Sequence, residues 1–523
     1  MKTNNTNHIF QSTDIAGLKP NFDVLKMIPK TQAQQLQTLV RERTGKQGET
    51  LMMLTTNNDS SGLRQLIESF QTKNYQVDVY YTDDQGFALA LSWYNQMLDY
   101  QKQLELKEDY RLQARGEQAI ELIKDTLNHK GDFSETDLIT ELVRLSFQAG
   151  SSDMHLQGES NGVVLRVRRN GLLETIATLT HEEFAVYLMK IKYISGVKMN
   201  IAQIPQDGRF DFTVWENKHA HHIDARVSFM PGLRGESVVI RFLDSSQSIM
   251  TFSDIGFASY HIPTITNNLA KNSGLILVTG PTGSGKTTTL YSMLAYLNTP
   301  DIKIITLEDP VEYEIPGIQQ SGIHEDKGYT FAEGVKSVLR HDPDVILVGE
   351  IRDLETANAA INAALTGHLV FSTLHTNSAL DTISRLLNLG VKPYLLAPAI
   401  NMIIGQRLVR KLADSKLPRD PKLGENTELH EGLEYVRTHF PDMITPKSTL
   451  YEPAPGDDGF SGRMALAEIF EPTDQDRQMI LEGKLGLDMI ESLRKRGYLT
   501  MQDDGLIKVW KGLTTMEELR RVV

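Results

Sequence analysis

The chain has 523 residues, long enough for two to four domains, and its 40% hydrophobic and 23% charged residues exclude general disorder. A formal charge of -13 argues against a broad nucleic-acid-binding face, and the lack of any cysteine excludes disulfides and thiolate metal sites. The opening MKTNNTNHIF has no apolar core of signal-peptide length, and no run of roughly 18 apolar residues occurs, so neither an export address nor a membrane span is expected.

Residues 1–20 are polar and rich in Asn and Thr, and they read as a frayed lead-in. Residues 21–100 alternate helical and strand-like runs: LVRERTG as a helix end, ETLMMLTTN as a strand, SGLRQLIESFQTK as an amphipathic helix and YQVDVYYTD as a second strand. That pattern predicts a small α/β domain. Residues 101–134, dominated by Gln, Glu, Lys and Leu, suit a helical connector. Residues 135–245 predict an α+β domain: a helix over TDLITELVRLSFQAG, a hairpin turning at Asn170 and Gly171, another helix, and strands ending in SVVIRFLD. From Ser253 to Gln406 strands and helices alternate as in a parallel-sheet α/β domain, and the remainder reads as mostly helical.

The strongest chemical signal follows the apolar strand LILVT. Gly280, Pro281, Thr282, Gly283, Ser284, Gly285, Lys286, Thr287 and Thr288 lead into the helical TLYSMLAYL, the strand-loop-helix context of a phosphate-binding loop. Glycines let the backbone amides face phosphate oxygens; Lys286 is expected to reach the β and γ phosphates, and the Thr287 hydroxyl to help hold Mg²⁺. The strand DVILVGE aims Glu350 at the metal and the attacking water, as base or water-orienting group. IKIITLEDPVEYEI brings Glu308, Asp309 and Glu312 to another strand end, either a metal or water site or a solvated acidic turn. Arg352, Asp353 and Glu355 follow Glu350, and a further strand ends at His375, either a γ-phosphate sensor or a structural histidine.

Four ordered boxes, GPTGSGKTT, ITLEDPVEYEIPGIQQ, RHDPDVILVGEIRDLETA and TGHLVFSTLHTN, closely resemble the secretion ATPase superfamily of type II secretion and type IV pilus assembly. SSDMHL, IPQDGRF, ARVSFMPGLRGESVVIRFLD, GQRLVRKL and the C-terminal LRKRGYLTMQDDGLIKVWKGLTTMEELRRV extend the likeness from Glu135 to Val523. The resemblance implies an α/β fold: a RecA-like P-loop ATPase domain over residues 250–523 with a C-terminal helical part, preceded by a PAS-like α+β domain. It implies that Glu312 and Glu350 are the catalytic and metal-linked carboxylates, with Thr287 on the metal, and that His375 senses the γ-phosphate. Arg209 and Arg226 are implied to reach the nucleotide from the preceding domain, across a subunit boundary; from sequence alone each could equally be a surface ion pair. An arginine on the transferring phosphoryl group is worth roughly 10³ to 10⁵ in rate.

ATP and Mg²⁺ are the ligands so implied, and the partners are a homo-hexamer, a polytopic inner-membrane platform protein and further pilus or secretion components. The implied location is cytoplasmic, at the inner membrane through those partners. The family's two Cys-x-x-Cys pairs are replaced by LADSK and YEPAPGDDGFSGR, so zinc is not expected and another contact must hold the arm. The N-terminal region, read as a docking module, lacks the repeated Leu-Gly and Gln-rich signature of cyclic-dinucleotide binding, and its length together with DDGLIKVWKGLTT favours assembly over retraction. Two alternatives are a DNA-translocating ring, disfavoured by the acidity, and an ATP-binding scaffold without turnover, disfavoured by Glu312, Glu350 and His375.

Overall fold

In the computed structural model, residues 9–10, 14–15, 22–44, 50–56, 61–95, 97, 114–129, 135–216, 219–244, 249–420, 425–443, 450–454 and 459–523 are described. The chain divides into two units, Met1–Gln113 and Ala114–Val523. The expected lead-in over residues 1–20 and connector over 101–134 lie mostly outside the described residues. Within the latter the helix Gly116–Asn128 buries Ile120, Ile123 and Leu127 at helical spacing.

In the first unit, strands β1 (Ile9–Phe10), β2 (Thr38–Thr44), β3 (Thr50–Thr55) and β4 (Gln76–Thr82) form one sheet in the order β1-β4-β3-β2, with only β2 antiparallel to its neighbour. The helix Ser61–Gln71 buries Leu63, Leu66 and Phe70 in the same core as Met53, Leu54 and Val77. Strand β2 corrects the expectation of a helix end at LVRERTG. Its Arg and Glu resemble helix surface, but Leu39 and Val40 are buried and the ladder with β3 satisfies the backbone, so pairing overrides local propensity.

The second unit begins with an antiparallel sheet of six strands: β5 (Ser151–Glu159), β6 (Gly162–Arg169), β7 (Leu172–Leu179), β8 (Gln206–Glu216), β9 (His219–Gly232) and β10 (Gly235–Asp244), ordered β7-β6-β5-β10-β9-β8. Asn170 at φ 48° and Gly171 at φ 85° turn β6 into β7, a pair of left-handed residues that suits a two-residue hairpin. Side chains of the helices Gly116–Asn128, Glu135–Gln148 and His181–Ile194 share this sheet's core.

The larger sheet contains β11 (Gly274–Thr279), β12 (Ile304–Glu308), β13 (Gln319–Gly322), β14 (Val345–Val348), β15 (Leu369–Leu374) and β16 (Ile400–Leu412). Beyond the short pair β17 (Leu417–Arg419) and β18 (Leu450–Glu452), β19 (Phe460–Phe470) closes it in the order β13-β12-β14-β15-β11-β16-β19. Every pairing but β16 with β19 is parallel. Strands β11, β12, β14 and β15 are buried along their whole length, as parallel strands covered on both faces must be. One apolar cluster gathers residues of the helices Phe331–Val338, Leu354–Leu365 and Ala379–Asn388, and another those of Ile262–Leu269 and Lys286–Leu297. Strand β19 lies in the stretch expected to be mostly helical: Ala, Leu and Glu of MALAEIF favour a helix locally, but pairing from Ile403↔Phe470 to Leu412↔Phe460 makes it a strand. In the cysteine-free arm, Leu429, Leu433 and Val436 of the helix Glu425–His439 pack with Leu450 and Trp510 in one apolar cluster.

Candidate functional site

The loop after β11 is shaped by its glycines. Gly280, Gly283 and Gly285 have φ of 152°, 79° and 86°. A Cβ on Gly280 would lie 2.4 Å from the Gln406 carbonyl oxygen, and one on Gly285 would lie 2.9 Å from Gln406 Nε2. Gly285 is the N-cap of the helix Lys286–Leu297 and no side chain caps it, so the first amides of that helix face the cleft, as an anion site requires. Lys286 Nζ donates to the carbonyls of Gly280 and Pro281 at 2.9 and 3.1 Å. Burial lowers the Lys286 pKa, the Glu350 carboxylate opposes that shift, and Arg407 adds to it.

The loop opens onto a cleft of about 730 Å³ lined by Thr282–Thr288, Glu308, Glu312, Glu350 and His375 on the larger sheet's side, and by residues 150–152 and 241–243 of the smaller sheet's lobe. Parallel strand order explains the gathering: β12, β14 and β15 lie side by side next to β11, and their C-terminal ends all meet the loop. Glu350 follows β14 and is held by Arg352 Nη2 at 2.6 Å, while His375 Nε2, just past β15, lies 3.6 Å from its other oxygen. Burial lowers the His375 pKa, the Lys286 charge adds to this, Glu350 opposes it, and Arg352 lowers it further. A lowered pKa keeps the imidazole neutral near pH 7, able to donate one hydrogen bond without adding charge.

The acids around Glu350 and Glu308 separate by role. Asp353 caps the helix Leu354–Leu365, accepting from Thr356 N at 2.8 Å. Glu308 is buried and accepts from Tyr291 Oη, from Thr306 Oγ1 at 2.5 Å and from Gln320 Nε2 at 3.2 Å, so its oxygens are occupied by protein donors. Glu312 instead meets Arg226 of β9, whose Nη1 stands 2.9 Å from Oε2 and whose Nη2 donates to the Val311 carbonyl at 2.8 Å. Among the described residues Glu312 Oε2 accepts no hydrogen bond, so this contact is an ion pair off the N–H direction. Arg226 therefore reaches a carboxylate of its own chain. Arg209 pairs with Arg226 across the β8–β9 ladder and is exposed, outside the residues lining the cleft.

Gln406 had no place among the expected site residues. Fully buried on β16, it donates from Nε2 to the Ser284 carbonyl at 2.8 Å and accepts from Thr289 Oγ1 at 2.8 Å, tying the back of the loop to the first helical turn. Behind the loop, Thr376 N donates to Thr279 Oγ1 at 3.0 Å and the Thr376 hydroxyl lies 2.7 Å from that of Thr382, joining the loop strand to the segment after His375. GQRLVRKL was visible in the sequence as a similar stretch, but nothing local marks its glutamine as a brace.

Residues 128–521 match the profile of a family described as Type II/IV secretion system protein. The Type IV pilus assembly ATPase PilB of Pseudomonas aeruginosa is 39% identical over 387 residues, which cover 73% of this chain and 66% of that protein. The Type II secretion system protein E of Xanthomonas campestris pv. campestris is 39% identical over 435 residues, 79% of this chain and 74% of that protein. The X-ray structure of the Legionella pneumophila ATPase DotB matches with a TM-score of 0.53 at 22% identity, covering 74% of this chain and 95% of that one, a likeness of fold.

Proposed function

This chain belongs to the Type II/IV secretion system protein family, and from that premise we propose that it is an ATP-hydrolysing motor of type IV pilus assembly or type II protein secretion. The observation that carries the reading is the convergence of the Gly280–Thr288 loop, Glu312, Glu350 and His375 on one cleft. The loop amides and Lys286 hold the β and γ phosphates. Glu312 orients the attacking water and takes its proton as the bond from the γ-phosphorus to the β,γ-bridging oxygen breaks. Arg226, already beside Glu312, faces the charge that develops on the transferring group, Arg209 stands next to it in the ladder, and His375 donates to the γ-phosphate.

Thr287 and Glu350 supply hard oxygen donors that fit Mg²⁺, an ion that takes one or two carboxylates together with substrate phosphates. Among the described residues no group of three or more His, Cys, Asp or Glu is gathered to hold a metal without such phosphates. When bound, Mg²⁺ neutralises charge on the β and γ oxygens. In the same reading residues 135–245 bring Arg209 and Arg226, residues 250–523 hydrolyse ATP, and residues 21–100 dock onto a membrane partner. The motor works as a hexamer at the cytoplasmic side of the inner membrane, against a polytopic platform protein.

The test is Mg²⁺-dependent phosphate release by the full chain. Lys286→Ala is expected to abolish it, and Glu312→Gln to slow it by about 10² to 10⁴ while nucleotide binding survives. Undiminished turnover by Lys286→Ala would end the proposal.

A further inference from the structure

His375 is the first residue beyond β15 and its side chain is half exposed, so the backbone on either side of it sets where the ring points. On the strand side, Leu374 is fixed in the sheet. On the other side the chain is pinned at three places. Thr376 N donates to Thr279 Oγ1 at 3.0 Å, Asn377 Oδ1 accepts from Arg407 Nη2 at 3.1 Å, and Ala379 N donates to Glu468 Oε1 at 2.5 Å. The first two partners stand on β11 and β16, next to the loop, whereas the third comes from β19 at the edge of the sheet.

The sheet is built to let that carboxylate through. Thr279 of β11, Gly405 of β16 and Glu468 of β19 stand in one row across the strands, in register with Leu374 of β15. A Cβ on Gly405 would lie 2.9 Å from both Cγ and Oε1 of Glu468 and 3.0 Å from Ala379 N, so the bare glycine is the passage by which Glu468 reaches Ala379. Glu468 is buried, and its other oxygen accepts from Met501 N at 3.3 Å. Ala379 and Met501 are the first residues of the helices Ala379–Asn388 and Met501–Trp510, so one carboxylate bridges the open N-terminal amides of both. Taking a carboxylate out of water is costly, and these two charge-assisted bonds offset that cost.

We propose that Glu468 is a positioning residue for hydrolysis: by holding Ala379 N it fixes the segment after His375 and keeps that ring aimed at the γ-phosphate, and through Met501 it ties the aim to the C-terminal helical part. This rests on the reading of His375 as a donor to the γ-phosphate. Glu468 lies outside the residues lining the cleft, so its effect reaches the chemistry only through the backbone it holds. ADP has no γ-phosphate, and its binding does not draw on that segment. In Glu468→Gln, of nearly the same shape, the amide keeps one acceptor oxygen and turns N–H donors towards the other amide, so one of the two helix ends loses its partner. A catalytic group displaced by about 1 Å costs up to about 10²-fold in turnover.

The experiment measures ATP turnover, and ADP affinity by calorimetry, for the full chain carrying Glu468→Gln, His375→Ala or both. Glu468→Gln is expected to lower kcat about tenfold to a hundredfold, to leave ADP affinity within about twofold of wild type, and to cost nothing further when added to His375→Ala. Wild-type kcat in Glu468→Gln, a loss of ADP affinity equal to the loss of kcat, or a double variant slower than His375→Ala by the full factor of Glu468→Gln would each overturn the proposal. If the glutamine variant does not fold, Ala379→Pro carries the same test with the same outcomes. It removes the donated N–H at the first helical position, where proline fits, and follows Ser378, whose ψ of 167° suits the residue before a proline. Wild-type turnover by His375→Ala would end the reading of His375 and the proposal with it; wild-type turnover by Glu468→Gln beside a slow His375→Ala would end the proposal alone.

Discussion

Replacing Gln406 by leucine tests whether the phosphate loop is held in shape from behind. The side chain is fully buried, and both of its hydrogen bonds, to the Ser284 carbonyl and from Thr289 Oγ1, are 2.8 Å long. Leucine has nearly the same volume, so packing is roughly conserved and the loss is polar. The Thr289 hydroxyl can turn to the carbonyl four residues back in its helix, whereas among the described residues no other donor reaches the Ser284 carbonyl. One orphaned buried carbonyl costs about 1 to 3 kcal/mol, and that cost falls on the segment whose amides face the cleft. Released from Gln406, the loop samples shapes that do not bind, and ADP affinity is expected to fall by about tenfold to a hundredfold, the equivalent of that energy. Titration of the variant with ADP, beside thermal melts with and without ADP, reads the effect. ADP binding as tight as wild type would refute the reasoning, because the loop would then hold its form without the brace.

Two further outcomes are expected. The Arg226–Glu312 pair is partly exposed, with side chains 28% and 36% accessible, so Arg226→Gln should shift stability by no more than about 1 kcal/mol. It should slow hydrolysis by about 10³ or more if the guanidinium meets the transferring group, and a variant that melts early yet turns over normally would reassign the pair to structure. His261 is buried, and that burial pushes its pKa down to about 4, with Asp504 opposing and Lys508 adding to the shift. The unfolded chain therefore takes up a proton that the folded one refuses, so stability present above about pH 6.5 is lost as pH falls towards 4, by about 3 kcal/mol in all. Denaturant melts of wild type and His261→Gln across that window should converge; parallel curves would show that His261 does not carry the dependence.

The glycine spacing of the Gly280–Lys286 loop and the apolar runs of β11, β12, β14 and β15 were legible because their cause is local. Left-handed backbone needs glycine, and a strand buried on both faces must be apolar throughout. The boxes also put Glu312, Glu350 and His375 at strand ends, where neighbouring parallel strands bring them together. Strands β2 and β19 were not legible, because their residues favour helix and only a partner elsewhere in the chain makes them strands. The residues alone left Glu308 and Glu312 open, and only the family resemblance singled out Glu312; in the structure one is occupied by Tyr291, Thr306 and Gln320, and the other faces Arg226.

The glycine-rich loop after β11 and the parallel sheet that carries it were thus determined by residues near one another in the chain. The brace of Gln406 on Ser284, the seating of Arg226 on Glu312 and the reach of Glu468 to Ala379 were decided by tertiary structure alone. Propensity and periodicity act over a few residues, whereas these contacts join groups brought close only when separate strands pack.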